Sequence, residues 1–565
     1  MTKTDFQSSH QKLTLLTTLD NTNSQNISGS NGIFSIFSAF PEYDRGNRMY
    51  NMGRYESAIS YYENAVKIKP DWAIGWLKLG HCFYKLQKYE QAIEAYKRSL
   101  SIKSNDDEAW NCYGVVLSNL KQYEEAIACF DKGIKFNQNN YELWYNKGII
   151  LAEFKQCQAA IHCYKKALKI QPMMGEIWYA QGQALLSVKK YAEALAAYDC
   201  AVKLQPDNYH IWLNRGLALV ETYRYAEAVA SYDHAIELQP DNYLAWFNRG
   251  IAQSKLHKYH DSVSSFNKVI KLNPDDYEAW FYKGLALKNH WKEGGIACFD
   301  KAININPNLP EAWISRGHTL LDLFKYDEAL ESFNQAITIN SNYPESWLGR
   351  GKAFMALSKY NEALIAYGNA IATQPDFLEA WNFRGEALEK LQQYEAALAA
   401  YDKVIEMSVK QGVSVAKVGL QRGAALEKLQ KYSQAIAAYD LVIAKQSDNF
   451  DAWLQRGLCL AKMGNDREAA MSYNRAIKIW PNNYQAWSEL ATIMEKLEQY
   501  EEAIAAYDQI VSLRPGNHQI WFKRGLILEK LGYIQKAVIS YNIALEIKPN
   551  YQEALNRKNQ LRMQG

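Results

Sequence analysis

A Trp-x-x-x-Gly motif recurs along this chain every 34 residues. Trp76/Gly80, Trp110/Gly114, Trp144/Gly148, Trp178/Gly182, Trp212/Gly216, Trp246/Gly250 and Trp280/Gly284 keep that spacing without a break. The series continues through Trp313/Gly317, Trp347/Gly351, Trp381/Gly385, Trp453/Gly457 and Trp521/Gly525. Trp487 keeps the indole with Ala491 in the glycine slot, Gly423 keeps the glycine with Gly419 in the tryptophan slot, and Gly46 opens the series with Glu42. Fifteen units run from Ala39 to Tyr551 and cover most of the 565 residues. A short unit repeated this often cannot bury an apolar face alone, so neighbours must stack, and a 34-residue period suits a pair of helices.

Each slot has a mechanical reading. The second half of the unit carries a small residue and, four on, an aromatic: Ala58/Tyr62, Ala92/Tyr96, Ala194/Tyr198, Ala397/Tyr401 and Ala537/Tyr541. An i, i+4 pair shares one helix face, which places these in a core. Glycine inside a helix costs roughly 1 kcal/mol against alanine. Accepting that cost in nearly every unit predicts close approach by the backbone of another helix. Pro172, Pro206, Pro240, Pro274 and their equivalents end the second helix, since proline cannot continue one. Asn139/Glu142, Asn105/Glu108, Asp275/Glu278, Asn308/Glu311, Asn342/Glu345 and Asp376/Glu379 predict capping boxes at the next helix.

The order Trp, Gly, small, Tyr or Phe, small, Pro at these offsets is similar to that of the tetratricopeptide repeat family. Local departures are Ser104, Gln138, Ser341 and Ser447 at the proline slot, and Ser262 and Gly295 at the alanine slot. The resemblance implies an all-α, right-handed α-solenoid (superhelix) whose first helices line a concave groove. Residues 1–38 read as a disordered polar tail, with Ile33, Ile36, Phe37 and Phe40 as a short apolar cap. Residues 39–551 are the fifteen units. Residues 552–565, with Arg557, Lys558 and Arg562, read as a solvating C-terminal cap helix.

Charge narrows the function classes. Lys+Arg number 64 against 61 Asp+Glu, a net +3, which argues against a nucleic-acid binder. No apolar run reaches the ~18 residues of a membrane span. Eight cysteines without a CxxC fit neither a disulfide framework nor a zinc site and point to the reducing cytoplasm. No HExxH, phosphate loop or nucleophile elbow is present. His257 and His260 read as surface residues, and His162-Cys163 as helix packing. The chain is therefore expected to be non-enzymatic, with no metal or cofactor. A basic column precedes the glycines: Lys147, Arg215, Arg249, Lys283, Arg316, Arg350, Arg384, Arg422, Arg456 and Arg524. It is either a ladder for acidic ligands or the partner of an acidic column formed by Asp131, Asp199, Asp233, Asp300, Asp402, Asp440 and Asp508. Overall neutrality favours internal pairing.

The resemblance also indicates where a ligand would lie, at one, five and eight residues after the tryptophan slot. The first offset reads Tyr145, Tyr179, Leu213, Phe247 and Phe281, and the next Ile149, Leu217, Ile251 and Leu285. An apolar stripe like this marks a binding surface unless the winding of the chain buries it. Further on, Glu389, Glu427, Glu495 and Glu529 occupy the third offset, each followed by lysine, as a groove for a basic peptide or a solvated mixed-charge face. Asn146, Asn214 and Asn248 fill one asparagine slot of the family's carboxylate clamp, but its partner slots are apolar. The expectation is a protein–protein interaction scaffold binding extended segments of one or more proteins. The alternatives are a substrate-presenting arm of a separately encoded enzyme, such as a protein O-glycosyltransferase, and a helical-repeat RNA binder.

Overall fold

The computed structural model describes residues 30–564, with side chains from 39 to 561. Of the polar tail expected over residues 1–38, the part before residue 30 lies outside the described residues, as do the side chains of Ile33, Ile36 and Phe37, while residues 30–38 are helical. Among the described residues there are thirty-one helices and no strand: fifteen pairs and a last helix, Gln552–Gln564. The first helix, Ser30–Asn51, starts ahead of Ala39. The chain divides into two compact units, one ending at Ile305 and the other starting at Asn306. Within each unit the helices form an α-solenoid. A first helix packs on its own second helix and on the second helix before it, and most first helices also touch a first helix of an adjoining pair. No helix among the described residues is long and apolar enough to cross a membrane.

One pair, Tyr141–Glu153 and Cys157–Ile170, shows why the sequence folds this way. Asn140 caps the first helix, its side chain accepting from the Glu142 N–H at 3.0 Å. At the other end Lys155 turns left-handed at φ 59°, its N–H donating to the Ala152 carbonyl at 3.0 Å and the Gln156 N–H to Leu151 at 2.8 Å. That pair of bonds satisfies carbonyls the helix leaves open. The same left-handed position recurs at Lys189, Tyr223 and eight further non-glycine residues. The second helix stops as Gln171 leaves helical geometry, with Pro172 behind it.

Two expectations about the slots need correction. The caps fall one residue after the expected positions: Asp106, Asn140 and Asp276 accept the backbone N–H bonds. Leu309, Tyr343 and Phe377 occupy the cap in three other pairs without a side-chain bond, so no capping boxes form there. The turn between pairs simply takes up one more residue. The repeated glycine mostly faces a ring rather than another helix's backbone; Gly284 is the exception, where a Cβ would also lie 3.1 Å from the Gly295 carbonyl oxygen. A Cβ on Gly148 would lie 2.6 Å from Tyr164 Cε1, and one on Gly114 would lie 2.6 Å from Phe130 Cε1. The glycine makes room for the aromatic ring of its own second helix.

That ring is the centre of the core. Tyr62, Tyr198, Tyr232, Tyr367 and Tyr541 are fully buried. The slot tryptophans are only half-buried, and each donates its indole N–H to the carbonyl six residues earlier, as Trp144 does to Gln138 at 3.0 Å and Trp178 to Pro172 at 2.8 Å. The tryptophan thus pins the inter-pair turn to the helix that follows it. Outside the slot, Trp72 lies against Tyr43, while Trp291 and Trp480 are exposed.

Candidate functional site

Most of the basic column forms internal clamps. Arg215 Nε donates to Asp199 of the preceding second helix at 2.7 Å, and Nη1 donates to Ser231 of its own second helix at 2.6 Å. Its guanidinium lies 5.9 Å from the Trp212 ring. Arg249, Arg456 and Arg524 repeat all three contacts, with Asp233 and Ser265, Asp440 and Ser472, and Asp508 and Ser540. Arg422 reaches Asp402 at 2.6 Å, and Lys147 pairs with Asp131. One side chain therefore ties two successive pairs together, which settles these members as architecture. The planar guanidinium suits three directions at once.

The apolar stripe is mostly a floor. Tyr145, Tyr179, Leu213, Leu217, Phe247 and Ile251 are buried and offer a ligand little of their own surface. Their rings meet the second-helix aromatics: Tyr145 with Tyr164 at 6.1 Å, Tyr179 with Tyr198 at 6.2 Å, Phe247 with Phe266 at 5.7 Å. Ile149, Phe281 and Leu285 remain partly exposed. A stripe of this kind cannot be divided into floor and surface from its spacing, because both kinds of position sit on the same helix face.

The glutamate column also has inward partners. Tyr439 donates its hydroxyl to Glu427 at 2.6 Å and Tyr541 to Glu529 at 2.7 Å; Tyr507 donates to Glu495. Glu389 stands in the same slot, and burial raises its carboxyl above the ordinary value. Glu427, Glu495 and Glu529 thus each answer a hydroxyl that the core would otherwise leave buried, whereas Tyr401, with Glu389 in its slot, keeps a buried hydroxyl without a hydrogen-bond partner. Where Leu186, Val220, Met355 or Ala461 fills the slot, the hydroxyls of Tyr198, Tyr232, Tyr367 and Tyr473 are buried with no hydrogen-bond partner. Glu427 keeps a second contact outward, to Lys462 at 3.4 Å, and Glu529 one to Arg557 at 3.3 Å.

The asparagine slot bonds unit to unit. Asn146 donates to Asn111 at 2.9 Å, Asn111 donates to Glu142 at 3.3 Å, and all three are buried. Asn214 donates to the Tyr179 hydroxyl at 3.2 Å. The donor and acceptor are 35 residues apart in both Asn146–Asn111 and Asn214–Tyr179, one more than the period. That offset was the available signal in the sequence.

Titratable groups elsewhere are quiet. His81 Nε2 lies 3.4 Å from Cys112 Sγ with both residues buried. Burial pushes the imidazole down to about 3 and the thiol well above its usual value. Neither group carries charge near neutrality, so the pair is not an activated nucleophile and its base. Cys163 is buried with its thiol pushed up to about 11, while His162 is exposed. His257 bonds Tyr259 at 2.7 Å, and His260 is fully exposed.

Comparison with known proteins follows the same lines. Family models described as tetratricopeptide repeat match residues 155–209, 179–243, 231–263, 310–343, 348–408, 420–484 and 489–551. Residues 50–133 match a model described as anaphase-promoting complex, cyclosome, subunit 3. No curated protein sequence matches the chain. Among solved structures, YrrB, described as a TPR protein with an unusual peptide-binding site, is 21% identical over 33% of this chain and 96% of its own, with a TM-score of 0.32. Naa15/Naa10 bound to HypK-THB is 13% identical over 93% and 96%, also at 0.32. MamA from Desulfovibrio magneticus RS-1 is 20% identical over 30% and 96%, at 0.29. Those scores add nothing to the architecture already described. The repeat models together match more than half of the chain's length, and the chain belongs to the tetratricopeptide-repeat family.

Proposed function

We propose that this chain is a non-catalytic scaffold that takes extended segments of other proteins along the wall formed by its first helices. One observation carries the reading: from Ala73–Lys85 to Tyr277–Leu287 successive first helices touch one another, making a wall on which Ile149, Phe281 and Leu285 stay partly exposed above a buried apolar floor. Partly exposed apolar side chains on a rigid floor are what a peptide segment uses as anchors. The buried stripe residues Tyr145, Tyr179, Leu213, Leu217, Phe247 and Ile251 fix the position of that wall. In the second unit, Glu389, Glu427, Glu495 and Glu529 add half-buried carboxylates on the first helices there, and these set orientation. The partners are proteins, because most of the basic column is already paired with aspartates and leaves no cationic stripe for phosphates. The compartment is the cytoplasm, where the eight free thiols stay reduced.

The test is site-specific photo-crosslinking in the native cell. A crosslinker at Ile149, Phe281 or Leu285 captures a protein partner, and one at the exposed second-helix residues Ile365 or Ile539 does not. Capture at the second-helix positions alone refutes the assignment of the face.

A further inference from the structure

We propose that Arg350 and Arg384 form a site for oxyanions, the carboxylate or phosphoryl groups of an acidic protein segment. The site uses the second-helix side of the basic column and does not depend on the groove reading.

The clamp geometry identifies it. A complete clamp has an aspartate sixteen residues before the arginine and a serine sixteen after, as Asp199 and Ser231 stand around Arg215. At Arg350 those positions are Asn334 and Ala366, and at Arg384 they are Gly368 and Ala400. Neither guanidinium has a hydrogen bond or ion pair among the described residues, and Arg350 Nε is buried without a partner. Both are still held in place by rings. Arg350 lies 5.6 Å from the Trp347 ring and 5.4 Å from Phe354, and Arg384 lies 5.3 Å from Trp381. At Arg384 the ground where the missing carboxylate would stand is open, since a Cβ on Gly368 meets nothing within 4 Å; at Arg350 an uncharged Asn334 stands there.

Arginine cannot shed its charge, and an unpaired, partly buried guanidinium is costly to keep. These two have lost the internal counter-charge and kept the orientation, so an oxyanion from outside restores the pairing that other members of the column make internally. Lys283 has lost the same partners, with Asn267 and Cys298 at those positions, but it lies in the other compact unit and lacks the planar fork. Arg350 and Arg384 belong to consecutive pairs of one unit, which suits two acidic groups on one segment. A polypeptide fits better than a nucleic acid, because paired aspartates neutralise Arg422, Arg456 and Arg524 in the same unit.

The experiment restores the clamp. The double variant Asn334→Asp/Gly368→Asp supplies the carboxylates that neighbouring pairs already tolerate, so folding is preserved and is checked by circular dichroism. Binding of a hexaglutamate peptide, a bis-phosphoserine peptide of equal length and a short RNA is measured by fluorescence anisotropy at low salt. We expect at least one acidic peptide to bind the wild type and to bind the double variant about tenfold or more weakly. Arg350→Gln/Arg384→Gln should show the same loss. The tighter of the two peptides identifies carboxylate or phosphoryl as the source. No binding by either peptide, equal binding to both proteins, or RNA binding that alone responds to the variants overturns the proposal.

Discussion

The core tyrosines make one substitution predict opposite outcomes at two sites. Tyr232→Phe removes a hydroxyl that is fully buried and has no partner among the described residues. Burying such a group without a bond costs about 1–3 kcal/mol, so its removal should stabilise the local pair by about 1 kcal/mol after relaxation. Tyr439→Phe removes a hydroxyl that donates to Glu427 at 2.6 Å. A bond to a carboxylate contributes about 1.5–3 kcal/mol, and half-buried Glu427 loses that donor while Lys462 and the Cys459 thiol stay beside it, so we expect a loss of about 2 kcal/mol. Stability along a solenoid is close to a sum over neighbouring units, so one global melting temperature blurs both effects. Native-state hydrogen exchange resolves them. Peptides from Tyr225–Leu238 should become more protected in the first variant, and peptides from Tyr432–Lys445 less protected in the second. Loss of protection in both, or a gain in both, refutes the claim that Glu427, like Glu495 and Glu529, answers a core hydroxyl.

Three further outcomes follow from the packing. Gly148→Ala pushes a methyl against the buried Tyr164 ring, and an overpacking cost of about 1–3 kcal/mol outweighs a helix gain of about 1; Gly368→Ala faces open space and should stabilise by up to about 1 kcal/mol, both read by chemical denaturation. Asp199→Asn breaks the ion pair of one clamp at a half-exposed carboxylate, so local stability should fall by only about 0.5–1 kcal/mol, and less at high salt. Burial raises the Glu489 carboxyl despite the opposing pull of Lys523. A raised carboxyl contributes stability only while protonated, present below its unfolded value and lost as pH rises through the folded one. Glu489→Gln should therefore stabilise at neutral pH, with the gain vanishing near pH 4 in a denaturation series.

The architecture was plain in the sequence because each structural element repeats. Period, turn prolines and the small/aromatic face restate the same helix pair along the chain, and the pairing of Arg215 with Asp199 was readable from two columns of opposite charge. What the sequence concealed was direction. Tyr145 and Phe281 share one slot, yet Tyr145 is buried and Phe281 is partly exposed, since exposure depends on how neighbouring pairs close over it. Glu427 reads as a surface charge until Tyr439, twelve residues on, is seen to bond it. Gly148 was assigned to backbone approach because spacing cannot tell a helix from a ring as the neighbour that needs the room. His81 and Cys112 meet across two pairs with no motif to mark them.

The account rests most heavily on which wall receives the partner. Hydrogen exchange of the chain alone and with a crosslink-identified partner bound tests this directly. New protection is predicted on first helices such as Tyr141–Glu153 and Tyr277–Leu287, while their second helices Cys157–Ile170 and Lys292–Ile305 stay unchanged. Protection confined to the second helices, or none despite binding, would contradict it.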